Sequence, residues 1–141
     1  MPDIRHQFPV KAPSTRVFEV FTSPEGLNAW WTLRCSGQPL LNGEYNFYFG
    51  PVYDWNARVV DVQPGRSLTW QMTNAMDDWM NTHVGFQLQE ENGITQVKFF
   101  HVGWREANDH FAITTFCWGQ LLNGLKQYVE AGIIIPFEKR N

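Results

Sequence analysis

The chain has 141 residues, 43% hydrophobic, 16% aromatic and 18% charged, and its 11 Lys and Arg against 14 Asp and Glu give a formal charge of −3. That length predicts one domain over residues 1–141, burying roughly 68–70% of the unfolded chain's surface without a metal or disulfide, and the lack of any basic cluster excludes nucleic-acid binding by phosphate neutralisation. No secretory leader pattern or bilayer-length apolar run is visible, so membrane insertion is not expected; the distant Cys35 and Cys117 read as free, buried thiols of a reducing cytoplasm.

Residues 4–10 alternate and predict an opening strand. Pro13 and Ser14 precede Val17, Phe18, Val20 and Phe21, whose spacing gives a helix with one apolar face. Ser23 then serves as N-cap and Pro24 as the first residue of a second short helix that ends at Trp30-Trp31. From Leu40 to Val102 the period becomes two, with turn signals at Asn42-Gly43, Gly50-Pro51, Pro64-Gly65 and Asn92-Gly93, which predicts an antiparallel meander. A two-residue turn at Asn92-Gly93 sets Leu88 opposite Val97, Phe86 opposite Phe99 and Val84 opposite His101 on an inward face, and turns His83 outward. The same count about Pro64-Gly65 sets Val59 opposite Trp70 and Ala57 opposite Met72, with Leu68 and Trp55 on the same side; Tyr45, Phe47 and Phe49 form a third inward row. Asn108 or Asp109 caps a long helix with Phe111, Thr115, Trp118, Leu122, Leu125 and Val129 on one face and Gly132 as its terminator. Gly119 and Gly124 inside that helix are intrinsically unfavourable, which predicts a close approach of helix to strands.

This order describes an α+β helix-grip fold: a curved antiparallel sheet wrapped around a long C-terminal helix, with two short helices after the first strand. The stretch Val17 to Glu25 ending in Trp30-Trp31, then Gly43-Glu44-Tyr45, then Pro64 through Leu68 to Trp70, then His101, and finally Trp118 with Leu122, Leu125 and Tyr128, resembles the SRPBCC (START/Bet v 1-like) superfamily. Within it the chain is similar to bacterial proteins of the activator of Hsp90 ATPase homologue 1-like family, over about residues 5 to 132. One departure is Gly43-Glu44, where the family often has a Gly pair. The resemblance implies a deep apolar pocket that in relatives takes lipids, sterols, polyketides or plant hormones, and in some members supports hydrolysis, cyclisation or dehydration. Fold does not choose among these.

The inward faces make Trp30, Trp31, Tyr45, Phe47, Trp55, Trp70, Met72, Phe86, His101, Thr115 and Trp118 the expected ligand-binding residues, with Arg34 and Asp54 as further polar groups that reach the pocket. His101 is the one weak catalytic candidate: a neutral imidazole facing inward serves either as a general base or as a satisfied core histidine. No metal is expected, because His83 and His101 lie on opposite faces and His6 and His110 near the two ends, and no cofactor, because Gly-rich phosphate motifs are absent. Ser14, Ser23, Ser36 and Ser67 sit in caps or loops without a nucleophile-elbow sequence. The expected function is a carrier or sensor of a small hydrophobic, ring-containing or lipid-like ligand, as monomer or homodimer. The alternatives are a cyclase- or hydrolase-type enzyme using His101, and a chaperone- or stress-related protein-interaction module.

Overall fold

The computed structural model describes residues 1–140. Strand β1 (Asp3–Val10) leads into helices α1 (Ser14–Thr22) and α2 (Pro24–Trp30). Ser23 joins the two helices: its N–H donates to the Glu19 carbonyl, and its hydroxyl accepts from the Gly26 N–H at 3.0 Å. With Pro24 pre-set for the first helical position, these bonds turn the chain sharply without orphaning backbone groups.

Six further strands follow: β2 (Arg34–Ser36), β3 (Glu44–Gly50), β4 (Tyr53–Gln63), β5 (Ser67–Asn74), β6 (His83–Glu91) and β7 (Ile94–Val102). All neighbours are antiparallel, in the order β1-β7-β6-β5-β4-β3-β2. The sheet therefore begins earlier than Leu40: β2 adds an edge strand too short to show any alternation.

Asn92 and Gly93 adopt φ of 56° and 78°, as a type I′ turn requires, and the expected pairs Leu88–Val97, Phe86–Phe99 and Val84–His101 form. The Pro64-Gly65 turn is one residue longer than the two-residue count allows, since Gln63 pairs with Ser67. A bulge between Val59 and Asp61 absorbs the offset, so Val59 still faces Trp70 and Ala57 still faces Met72. That bulge and further irregularities between Asn56 and Ala57 and between Tyr48 and Gly50 add local bend and twist to β3 and β4.

Helix α3 (Asp109–Ala131) lies against this concave side. The Asn108 side chain accepts from the Phe111 N–H at 2.9 Å, and Gly132 ends the helix in the left-handed region at φ 69°. Its buried stripe is Thr114, Trp118, Leu121, Leu122 and Leu125. Thr115, expected inside, is only half-buried and donates back to the Phe111 carbonyl at 3.0 Å, because the stripe keeps Trp118, Leu122 and Leu125 but is displaced towards Thr114 and Leu121. The predicted close approach at Gly119 and Gly124 is also absent: a Cβ there would meet His6 or Ile135 at 3.7 Å, an ordinary contact. Beyond α3 the chain returns over the C-terminal end of α2 through a 3-10 turn, Phe137–Lys139. Among the described residues no helix is long and apolar enough to cross a membrane. Cys35 and Cys117 are unpaired, and both are half-buried rather than buried as expected.

Candidate functional site

The inward rings divide into two groups. At the end of the sheet covered by α1 and α2 they form solid core: Phe21 stacks on Phe86 at 4.1 Å between centroids, Phe18 meets Phe86 at 5.8 Å, and Trp70 packs edge-on against Tyr45 and Phe47 at 5.3 and 5.4 Å. Two polar ring ends there are satisfied by backbone, the Tyr45 hydroxyl donating to the Thr22 carbonyl at 2.6 Å and the Trp30 indole donating to the Val20 carbonyl at 3.3 Å, while the Trp70 indole N–H is buried without an acceptor among the described residues. Tyr45, Phe47, Trp70, Met72 and Phe86 are therefore packed away from the open cleft, contrary to expectation, because the short helices fill the concavity there, and Trp30 lines a smaller cavity beside α3 and the tail instead of the cleft.

At the other end the concavity stays open as a cleft of about 450 Å³. The β3–β4 hairpin contributes Phe49, Tyr53 and Trp55, and the segment between β5 and β6 contributes Met76 and Trp79. Helix α3 contributes His110, Ile113, Thr114, Cys117, Trp118 and Leu121, while Trp31 and the tail residues Phe137 and Arg140 close the remaining side. Ring pairs hold the wall together: Trp31 and Trp118 lie 5.0 Å apart, Phe49 and Trp55 4.9 Å, and Trp55 and Trp79 4.6 Å. The rim is apolar and exposed at Tyr53 and Ile113. Of the expected ligand-binding residues, the structure brings Trp31, Trp55 and Trp118 together on this cleft.

His101 lies behind the cleft wall, fully buried, and its hydrogen bonds fix its chemistry. The Trp118 indole donates to Nδ1 at 3.1 Å, so Nδ1 carries no proton. Nε2 lies 2.9 Å from the Thr82 hydroxyl, which itself donates to the Trp79 carbonyl at 2.6 Å, so Nε2–H is the donor of that pair. This chain of bonds commits both ring nitrogens of a neutral imidazole, and burial pushes its pKa down to about 3. With its lone pair taken by Trp118 and no face on the cleft, His101 is a satisfied core histidine. His83, half-buried, belongs to the opposite face as expected.

The other polar candidates also lie elsewhere. Arg34 is exposed and places its guanidinium over the Tyr48 ring at 4.3 Å, and Asp54 accepts from Asn46 at 2.6 Å on the sheet surface. The cleft's own polar groups are ones the sequence pattern did not single out. His110 Nδ1 sits 2.9 Å from Asp78 Oδ2; this bond, with help from Asn108, holds the Asp78 carboxyl below its usual range. Arg140 donates to four backbone carbonyls, those of Ile135, Thr32, Asn28 and Ala29, at 2.9 to 3.2 Å. The Trp79 indole N–H is buried without an acceptor among the described residues. A second α3 stripe, His110, Thr114, Cys117 and Leu121, repeats at helical spacing and was readable beside the core stripe. Trp79 lies in a turn and Phe137 and Arg140 in a tail, where no periodicity points inward.

The fold has close counterparts among solved structures. A solution structure of an Aha1 dimer from Colwellia psychrerythraea aligns with a TM-score of 0.85 at 30% identity, covering 94% of this chain and 98% of that one. A Staphylococcus saprophyticus protein aligns at 0.80 and 20% identity over 95% and 96% of the two chains. A protein of the dynemicin biosynthetic locus aligns at 0.76 and 20% identity, covering 92% of this chain and 48% of that one. No curated protein matches the chain in sequence. The family model described as activator of Hsp90 ATPase homolog 1-like protein matches residues 11–130, and the chain belongs to that family.

Proposed function

We propose that the chain binds a small, ring-bearing apolar molecule in the cleft between α3 and the β3–β4 hairpin, as a carrier or sensor. The observation that carries this reading is uncovered ring surface: Phe49, Trp55 and Phe137 are only half-buried, and Tyr53 is exposed, around a space of about 450 Å³. That volume falls in the range of small-molecule sites, whose walls are mostly apolar with a few polar groups. A protein of the dynemicin biosynthetic locus shares the fold, which is in keeping with such a ligand. Catalysis through His101 is disfavoured because both its nitrogens are committed. The two unpaired thiols suit a reducing compartment such as the cytoplasm.

Because Trp31, Trp55, Trp79 and Trp118 line the cleft, a bound aromatic molecule will quench or shift the indole emission saturably. Titration with a panel of neutral aromatic ligands tests this, and Trp55→Ala, at the half-exposed wall, is expected to weaken binding about tenfold or more. No saturable response across the panel would overturn the reading.

A second reading concerns self-association, since the Colwellia psychrerythraea relative is described as a dimer. Ile113 and Phe116 lie 60% and 67% exposed on α3, a large apolar surface for a monomer to leave in water. Sedimentation equilibrium on the native chain and on Phe116→Glu tests it: a dimer that the charge dissociates is expected, and a native monomer refutes it.

A further inference from the structure

We propose that the molecule taken into the cleft carries a carboxylate on its apolar, ring-bearing body and that Arg140 receives that carboxylate. The proposal rests on the reading of the cleft as a binding site. Arg140 is only 8% exposed, yet among the described residues no carboxylate forms an ion pair with it. Its partners are carbonyls: Nε donates to Ile135, Nη2 to Asn28 and Ala29, and Nη1 to Thr32. A guanidinium has five N–H groups, so one N–H of Nη1 has no acceptor among these. The carbonyls of Asn28 and Ala29 belong to the C-terminal end of α2 and supply partial negative charge, not a full counter-charge.

The surroundings are as one-sided as the hydrogen bonds. Among the described residues no Asp or Glu lines the cleft, and none lines the smaller cavity that Arg140 also borders, where Gln120, Asn123 and Lys139 sit instead. Glu138 attracts Arg140 electrostatically from a distance, but it is exposed, forms no ion pair with it and lines neither space. His110, the other cleft group able to carry positive charge, has its Nδ1 on Asp78. A buried cation with no carboxylate in contact among the described residues is costly, and a wall of rings that ends in one arginine matches a ligand apolar along its body and anionic at one end. A carboxylate there gains a charge-assisted hydrogen bond in a site largely shielded from water. A purely structural Arg140, clasping the tail to α2, would not distinguish an acid from its neutral isostere.

Isothermal titration calorimetry of the native chain near pH 7.5 with 2-naphthoate and 2-naphthamide makes that distinction. The acid is expected to bind about tenfold or more tighter than the amide, and Arg140→Met to remove that preference, bringing the two affinities together. Should Arg140→Met not fold, the side-chain Nε–H resonance of Arg140 in the native chain provides the readout: it is expected to shift on addition of the acid and not of the amide. Amide binding as tight as acid binding, a preference that survives Arg140→Met, or a resonance that responds equally to both would overturn the assignment and leave the apolar cleft standing. Binding of neither compound would overturn the cleft reading as well.

Discussion

His101 shows how burial changes what a side chain does. Its pKa lies near 3 in the folded chain against about 6.5 when unfolded, so between those values the unfolded state takes up a proton that the folded state refuses. Stability from this residue is therefore complete above about pH 6.5, falls as the pH drops below it, and levels off near pH 3. Urea unfolding at pH 7 and pH 4.5 is expected to show a loss on the order of 2–3 kcal/mol attributable to this group. His101→Gln should abolish that part of the loss, whatever its own stability, and parallel losses in both proteins would reject the account. The two kinds of tryptophan provide a second comparison. Trp70 is 2% exposed inside solid core, so Trp70→Ala is expected to cost about 3–5 kcal/mol, whereas Trp55→Ala, at the open wall, should cost about half that or less, measured by the same unfolding curves.

Helix α3 carries two glycines that its packing does not demand. A Cβ at Gly119 or Gly124 would sit 3.7 Å from its nearest neighbour, so Gly119→Ala and Gly124→Ala should each raise stability, by up to about 1 kcal/mol, through helix propensity alone. The strand glycine Gly85 is the opposite case. Its Cβ would lie 2.5 Å from the Leu68 carbonyl oxygen and 2.6 Å from the Phe100 ring, so Gly85→Ala must push β5 and β6 apart and is expected to lower the melting temperature where the helix variants raise it. At the helix start Asn108 has two tasks, capping Phe111 and donating to Asp78 at 3.3 Å, which ties the start of α3 to the segment between β5 and β6 that carries Trp79. His110, 2.9 Å from Asp78, and Arg105, donating to the Asp77 carbonyl at 2.8 Å, add two further ties.

At the scale of the molecule, the cleft exists because α1 and α2 cover only part of the concave sheet, and the tail covers part of the remainder. Removing residues 133–141 would take away Phe137 and Arg140, open one wall and leave the carbonyls of Asn28, Ala29 and Thr32 without their guanidinium donor. Such a truncation is expected both to lower the unfolding midpoint and to abolish ligand binding. Retained binding would show that the tail is no part of the site. In the intact chain a ligand at about 100 times its dissociation constant should add about 2.7 kcal/mol to stability, which thermal unfolding with and without ligand reads directly.

The sequence by itself determined the order of the three α-helices and of every strand but β2, Ser23 as the N-cap of α2, the Asn92-Gly93 register and the inward parity of Val84, Phe86, Phe99 and His101, because each depends on contacts within a few residues or on strict alternation. At Pro64-Gly65 the correct partner for Trp70 emerged although the turn was longer than assumed, since a later bulge cancelled the shift; local counting gives no warning of such a compensation. Which inward rings are core and which line a cleft was decided only by tertiary structure. Alternation tells that a ring faces the concave side, but whether another element covers it depends on where α1, α2 and α3 come to rest, a long-range packing outcome. Trp79, Phe137 and Arg140 come to the cleft from a turn and a tail with no periodic pattern, and His101 lost its prospect of chemistry only when Trp118 and Thr82, brought in from other elements, claimed both of its nitrogens.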